Sequence, residues 1–290
     1  MKKYIILIPI YNDRESLTKL IENINLEVKS INSEISILII NDASSEKIIE
    51  NYQNIENIYS IEIINMRENK GSIRCIASGL KYIFEKKEFD YVIPMDGDGE
   101  DRPEEIKNFT KIVDKLDDKS IVAERVKRSE GLFFRLCYQL HKYLTLGFTG
   151  QSIKFGNFTC LSKSTVKKML KEKATWNSFS GSLKKIEKDL ISIPSIRGNR
   201  YFGPSKMSFF NLFKHSLSII SVFRKTVLIR STLFTIFYIL LVKNNFSMFT
   251  LLPLVLLLVM IYSISSLAMR ENIDQFDKSL SNINNIDKIK

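Results

Sequence analysis

The stretch Tyr91-Val-Ile-Pro-Met-Asp-Gly-Asp-Gly-Glu-Asp-Arg-Pro103 decides how this chain is read. Residues 91–95 are apolar and stop at Asp96, Asp98, Glu100 and Asp101. A short apolar run ended by turn residues predicts a strand buried on both faces. Pro103 suits the first turn of a following helix, which the spacing carries to about Leu116. Asp96 and Asp98, one residue apart in a turn, can both reach one hard divalent cation. Mg²⁺ and Mn²⁺ prefer oxygen ligands and bind through one or two carboxylates plus substrate phosphates. Gly97 keeps the approach open. On an isolated surface turn the same pattern would be ordinary turn chemistry. At the end of a strand in a parallel sheet it lies where such sheets bind ligands.

Working outward, the same alternation recurs. Residues 4–10 are a β-branched run followed by Asn12, Asp13 and Ser16, which suit a helix start, and by Leu17, Leu20, Ile21 and Ile24 at helical spacing. Residues 35–40 read as a second buried strand ending in Asn41-Asp42-Ala-Ser-Ser45, with a short helix expected through Tyr52. A third strand is expected over 59–64 and a helix over 71–84, with a fifth strand at 120–123 after the one at 91–95. Strand and helix alternating at this spacing predict an α/β domain with a mostly parallel sheet covered on both faces. Between 131 and 194 the pattern is less regular, with a helix expected over 132–146 and a strand over 155–161.

The chain has 290 residues, a formal net charge of +11 and two histidines. Nucleic acid is the weakest explanation of the charge, because no recognition helix, zinc spacing or aromatic-basic RNA signature is present. An anionic membrane surface or phosphorylated substrates fit better. With His141 and His215 alone, a Cys/His metal cluster is excluded. Cys75, Cys137 and Cys160 read as ordinary thiols of a reducing compartment. The N-terminal apolar run holds a proline and lacks a cleavage site, so it reads as a strand and not a signal peptide.

The C-terminal part has a different composition. Residues 207–225 place Phe209, Phe210, Phe213, Leu217 and Ile220 on one face and Asn211, Lys214, His215, Ser218 and Lys225 on the other, as in a helix lying in a membrane interface. Residues 227–242 and 248–269 are long apolar runs, close to the ~20 residues that a spanning helix needs. Arg230 interrupts the first near one end, where it could snorkel to headgroups. The short connection Lys243-Asn-Asn-Phe-Ser247 makes the pair a hairpin. Basic residues cluster before it, including Lys184, Lys185, Lys188, Arg197, Arg200, Lys206, Arg224 and Lys225. The positive-inside tendency then puts the main domain in the cytosol, and the tail after Arg270 must return to that side.

Pro9-Ile-Tyr-Asn-Asp13, Asn41-Asp-Ala-Ser44, Asn69-Lys-Gly71 with Ala77 and Gly79, and Met95-Asp-Gly-Asp-Gly-Glu-Asp101 with Pro103-Glu104 resemble glycosyltransferase family 2. The segment Arg197-Gly-Asn-Arg-Tyr-Phe-Gly-Pro-Ser-Lys206 is similar to that of the dolichol-phosphate-mannose-synthase-like, polyprenyl-phosphate hexosyltransferase branch, where a membrane hairpin also follows. The resemblance implies a GT-A fold, an inverting mechanism, and a nucleotide-diphosphate sugar held with Mg²⁺ or Mn²⁺. It implies that Pro9, Tyr11, Asp13, Asp42, Asn69 and Gly71 line the nucleotide-sugar site, that Asp98 holds the metal, and that Asp96 serves metal or nucleotide. Relatives often carry a longer apolar residue and Gln where this chain has Gly99-Glu100, and Asp where it has Asn157.

The expected organisation is a glycosyltransferase domain over 1–204, an interfacial helix over 205–225, a hairpin over 226–270 and a cytosolic tail over 271–290. The expected reaction is transfer of a hexose to a membrane polyprenyl phosphate, in cell-envelope biogenesis. An anionic phosphate acceptor needs no general base; a sugar hydroxyl would need one, and Glu100 and Asp101 are the candidates. Arg125, Arg128, Arg197, Arg200 and Lys206 are the expected acceptor-phosphate ligands. The alternatives are transfer directly to an envelope saccharide or another lipid, and a non-catalytic nucleotide-sugar-binding membrane protein. A nucleotidyltransferase is disfavoured by the lack of a Gly/Arg-rich phosphate loop near the N-terminus. A homo-oligomer is compatible with the sequence.

Overall fold

The computed structural model describes residues 1–47, 55–127, 132–204 and 209–290. The helix expected to end near Tyr52 falls outside the described residues, as do Arg128 and Lys206. In chain order the elements are β1 (Lys3–Ile10), α1 (Arg14–Val28), β2 (Glu34–Asn41), β3 (Ser60–Met66), α2 (Ser72–Lys86), β4 (Tyr91–Pro94), α3 (Ile106–Val113), β5 (Ile121–Lys127), α4 (Leu132–Thr149), β6 (Phe155–Ser162), α5 (Lys163–Lys171), α6 (Phe179–Ile186) and β7 (Ile191–Ile196). They are followed by α7 (Phe209–Ser221), α8 (Arg224–Val242), α9 (Met248–Ala268), α10 (Ile273–Asp277) and β8 (Ile283–Lys288).

The eight strands form one sheet in the order β7-β5-β6-β4-β1-β2-β3-β8. The pairs β1–β2, β1–β4, β2–β3 and β5–β7 are parallel, as the alternation predicts. β6 enters antiparallel between β4 and β5, so the sheet is mixed at that end. Alternate residues of β1 divide between two cores. Tyr4, Ile6, Ile8 and Ile10 join Leu17, Leu20, Ile106 and Phe109 on one face. Ile5 and Leu7 join Ile76, Leu80, Val166 and Phe179 on the other. Burial on both faces is why these strands read as continuous apolar runs.

Two findings lie beyond the sequence reading. Residues 191–196 form β7, which the sequence left inside an irregular region; its edge position and its proline weaken the strand pattern. The tail also does more than return: β8 pairs antiparallel with β3 and covers that edge of the sheet. The pairing is reinforced by side chains, since Asn65 Nδ2 donates to Asp287 Oδ2 at 2.6 Å and Asn41 Nδ2 to Asn65 Oδ1 at 2.7 Å. Phe276, fully buried, stacks on Trp176 with ring centroids 5.6 Å apart.

α8 and α9 are the two helices long and apolar enough to cross a membrane among the described residues. Their outer faces expose Leu233, Phe237, Leu241, Leu252, Leu256 and Leu258. Their inner faces meet α7 and α4 through Leu217, Ile220, Val227 and Ile264, with Leu144 and Phe148 alongside. Arg230 is exposed but engaged by the protein: its Nη1 donates to the carbonyls of Leu146 and Gly147, 3.3 and 3.0 Å away, in the last turn of α4. A cation there complements the negative end of the helix dipole.

Candidate active site

The site lies at the carboxyl ends of β1, β2 and β4, where an open α/β sheet presents loops to a ligand. β4 ends at Pro94, and the chain turns through Asp96-Gly97-Asp98-Gly99. The turn is tightly built. Asp101 Oδ2 accepts from the amide of Asp96 at 2.9 Å, and Asp98 Oδ1 from the amide of Glu100 at 3.0 Å. Gly99 has φ of +88°, and a Cβ there would meet the Tyr201 ring at 2.4 Å, so only glycine fits. Gly97 packs against the Pro9 carbonyl, which a Cβ would approach to 3.2 Å.

Burial, and then the charge of Asp96, push the Asp98 carboxyl up to about 6, while Arg200 and Arg197 pull it back. Asp101 is buried, and burial with the Asp96 charge pushes it up to about 8 against the pull of Arg125, 3.9 Å away. Asp101 faces inward and braces the turn. Glu100 is ion-paired to Arg197. Asn157, from β6, donates through Nδ2 to Asp96 Oδ1 at 3.1 Å.

Over this turn lies the loop that leaves β7. Buried Glu105 pins its start, accepting from Ser195 Oγ at 2.6 Å and from the amide of Ile196 at 3.0 Å. The amide of Gly198 donates to the Glu100 carbonyl and that of Tyr201 to the Asp98 carbonyl. Tyr201 Oη accepts from Asn23 Nδ2 of α1 at 2.8 Å. Arg200 sits at the centre: Nη1 is 3.0 Å from Asp98 Oδ2, and Nη2 contacts Asp13 Oδ2. Asp13 precedes α1 without capping it; its carboxylate is engaged by Arg200 instead. Arg197 and Arg200, expected to hold an acceptor phosphate, therefore lie directly on the acidic cluster.

The remaining expected residues are placed as follows. Asp42 is buried, with Oδ1 and Oδ2 accepting from the amides of Lys70 and Gly71, each at 2.8 Å. It thereby fixes the entry to α2. Asn69 and Tyr11 are exposed, and Pro9 is buried in β1. Arg125 lies over Gly156, where a Cβ would meet its Nη2 at 2.8 Å. Asn23, Tyr201 and Glu105 were not singled out by the sequence, because ordinary helix and loop positions carry no local signal. His215 was read as one residue of a polar helix face. Burial holds its imidazole below the ordinary histidine range, with Asp96 raising it and Arg125 lowering it. α7 therefore brings His215 into the field of the acidic cluster.

The donor chemistry fits a hard divalent cation. Asp96 and Asp98 offer carboxylate oxygens, and Asp98 already holds a cationic group, Arg200. Among the described residues no three His, Cys, Asp or Glu side chains are placed to hold one metal ion between them. A two-carboxylate set suits Mg²⁺ or Mn²⁺ when phosphate oxygens complete the coordination.

A mixed α/β sheet with an acidic turn at its carboxyl edge matches the GT-A class of folds. Residues 5–178 match glycosyl transferase family 2, and the chain belongs to that family. It is 28% identical over 227 residues to undecaprenyl-phosphate 4-deoxy-4-formamido-L-arabinose transferase of Photorhabdus laumondii, covering 73% of this chain and 65% of that relative. In fold it is similar to S. aureus TarS residues 1–349, with TM-score 0.50, 12% identity, and 97% and 88% of the two chains covered. It is also similar to glucosyl-3-phosphoglycerate synthase of Mycobacterium tuberculosis, solved with Mn²⁺, uridine diphosphate and glucosyl-3-phosphoglycerate. There the TM-score is 0.52 at 12% identity, covering 78% and 80%.

Proposed function

We propose that this protein transfers a glycosyl group from a nucleotide-diphosphate sugar to a lipid phosphate at the membrane surface. The observation that carries the reading is the cluster of Asp13, Asp96 and Asp98 at the carboxyl edge of the sheet, covered by Arg200 from a loop leading toward α7. The relative from Photorhabdus laumondii acts on undecaprenyl phosphate, as its name states, which supports a polyprenyl-phosphate acceptor. The solved relative with Mn²⁺ and uridine diphosphate supports a divalent cation and a nucleotide donor.

Asp98 and Asp96 would hold the cation, which neutralises charge on the leaving diphosphate. Asp13, Pro9, Tyr11, Asn69 and Gly71 would line the nucleotide-sugar site and orient the nucleoside and ribose, with Asp42 keeping the α2 entry in place. Arg125, Arg197 and Arg200 would hold the acceptor phosphate next to the sugar. A phosphate oxygen is anionic and attacks without a general base, which agrees with Asp101 being buried and Glu100 being paired with Arg197. α8 and α9 would anchor the domain as a two-span hairpin. Because β8 is part of the catalytic sheet, the tail and the main domain then lie on the same side, which the basic flank makes cytosolic.

The test is incubation of membranes containing the full chain with labelled nucleotide sugars, followed by organic extraction. Metal-dependent label in the organic phase, released by mild acid as a sugar phosphate bond would be, is the expected result. Label only in aqueous glycan would replace the lipid acceptor by a saccharide, and no transfer from any nucleotide sugar would overturn the reading.

A further inference from the structure

The loops that leave β1 and β2 are clasped together by side chains. The amide of Asn12 donates to Ser44 Oγ at 2.9 Å, and Asn12 Oδ1 accepts from the amide and the hydroxyl of Ser45 at 2.9 and 3.2 Å. Each loop holds a residue other than glycine in the left-handed region, Asn12 with φ of +49° and Ala43 with φ of +58°. Such conformations persist only where the surroundings hold them. Asp13 follows Asn12 directly and Asp42 precedes Ala43, so the clasp sets where both carboxylates stand.

The clasp is one end of a longer row of hydrogen bonds that crosses the sheet. Asn41 Oδ1 accepts from the amide of Ser44 at 3.0 Å, and its Nδ2 donates to Asn65 Oδ1 at 2.7 Å. Asn65 Nδ2 donates in turn to Asp287 Oδ2 at 2.6 Å, and Asp287 Oδ1 accepts from Asn285 Nδ2 at 3.0 Å. Asn41, Asn65 and Asn285 stand directly opposite one another on β2, β3 and β8. An asparagine amide can turn end for end and exchange its donor for its acceptor, whereas an ionised carboxylate can only accept. Asp287 therefore fixes the direction of the row. It takes the Asn65 amino group, Asn65 then turns its oxygen to Asn41, and Asn41 turns its own oxygen to the Ser44 amide. With the row reversed, two N–H groups would face each other at Ser44, and the turn after Asp42 would lose that bond.

We infer that Asp287, in the strand that follows α9, is a positioning residue of the nucleotide site. It acts through Asn65 and Asn41 on the loops that carry Asp42 and Asp13, and it does not touch the ligand. The inference rests on the reading that these two loops bind the donor nucleotide. The chain beyond the apolar hairpin is then part of the support of the donor site as well as the cover of a sheet edge.

The full chain in detergent is titrated by calorimetry with the diphosphates of adenosine, cytidine, guanosine and uridine in the presence of Mn²⁺. Asp287→Asn keeps the side-chain shape and the backbone pairing of β8 but lets the row reverse. For the nucleotide that the parent binds, affinity should fall about fivefold, the order of one lost hydrogen bond, with a melting temperature close to the parent's. Asn65→Asp combined with Asp287→Asn moves the carboxylate one strand inward, where it can accept from Asn41 on one side and from the new amide on the other. This double variant should regain the parental affinity, which a general loosening of β8 would not allow. Parental affinity in Asp287→Asn alone, or a double variant no better than the single one, would overturn the inference and leave the transferase reading standing. A parent that binds none of the four nucleotides would overturn that reading and this inference with it.

Discussion

Arg200 Nη1 stands 3.0 Å from Asp98 Oδ2, so a loop guanidinium occupies the carboxylate expected to hold a metal ion. The same guanidinium reaches Asp13, which joins the expected nucleoside and metal residues through one cation. A cation held by Asp98 would therefore compete with Arg200, whose side chain, once displaced, would be free to meet a phosphate.

Arg200→Ala should tighten Mn²⁺ binding while lowering turnover. A charge-assisted hydrogen bond contributes roughly 1.5–3 kcal/mol, so the gain in affinity should be about tenfold or more. Calorimetric titration of Mn²⁺ into the unliganded protein measures it. Unchanged affinity would show that Arg200 does not compete for Asp98.

Asp98→Asn should lower turnover by about 100-fold or more, roughly 3 kcal/mol of transition-state stabilisation. The fold should survive, and thermal stability should hold or rise, because the amide removes a buried charge beside Asp96. Activity assays paired with thermal melts distinguish loss of chemistry from loss of fold.

Asp98 in the folded protein is raised to about 6 and Asp101 to about 8, both from 3.8. Raised folded values mean that the native state binds more protons than the unfolded one between these limits. The stability these two carboxyls contribute to the unliganded protein is then fully present below pH of about 4 and is lost as pH rises through about 6 and about 8. A metal ion binds the ionised Asp98, so its affinity should grow about tenfold per pH unit until about 6 and then level off. Melting temperatures across pH 5–8, with and without Mn²⁺, should show a metal-induced gain that widens up to pH of about 6 and levels off above it. A gain independent of pH would contradict the assignment of Asp98.

Phe276→Ala should destabilise the whole catalytic domain by about 3 kcal/mol, although it lies beyond the hairpin. Removing residues 283–290 should expose the β3 edge and promote aggregation. Denaturant titration and light scattering check the two. A soluble form of the domain is therefore best made by excising residues 227–268 and keeping the tail, not by truncation at 227.

The sequence by itself determined the alternating strands, the two-sided burial of β1 and β2, and the acidic turn after β4. Those features rest on local patterns: apolar runs, turn residues, and carboxylates two positions apart. It also determined the apolar hairpin, because a length of continuous apolar residues is itself the signal. Only the tertiary structure decided that β6 inserts antiparallel beside β4, that residues 283–288 close the sheet against β3, and that Arg200 rests on Asp13 and Asp98. The reason is sequence separation: Arg200 is 187 residues from Asp13 and 102 from Asp98, and no spacing rule reaches across such distances. The tail was hidden for a related reason, since Ile-Asn-Asn-Ile-Asp-Lys is too polar to read as a strand until the open edge of β3 gives it a partner.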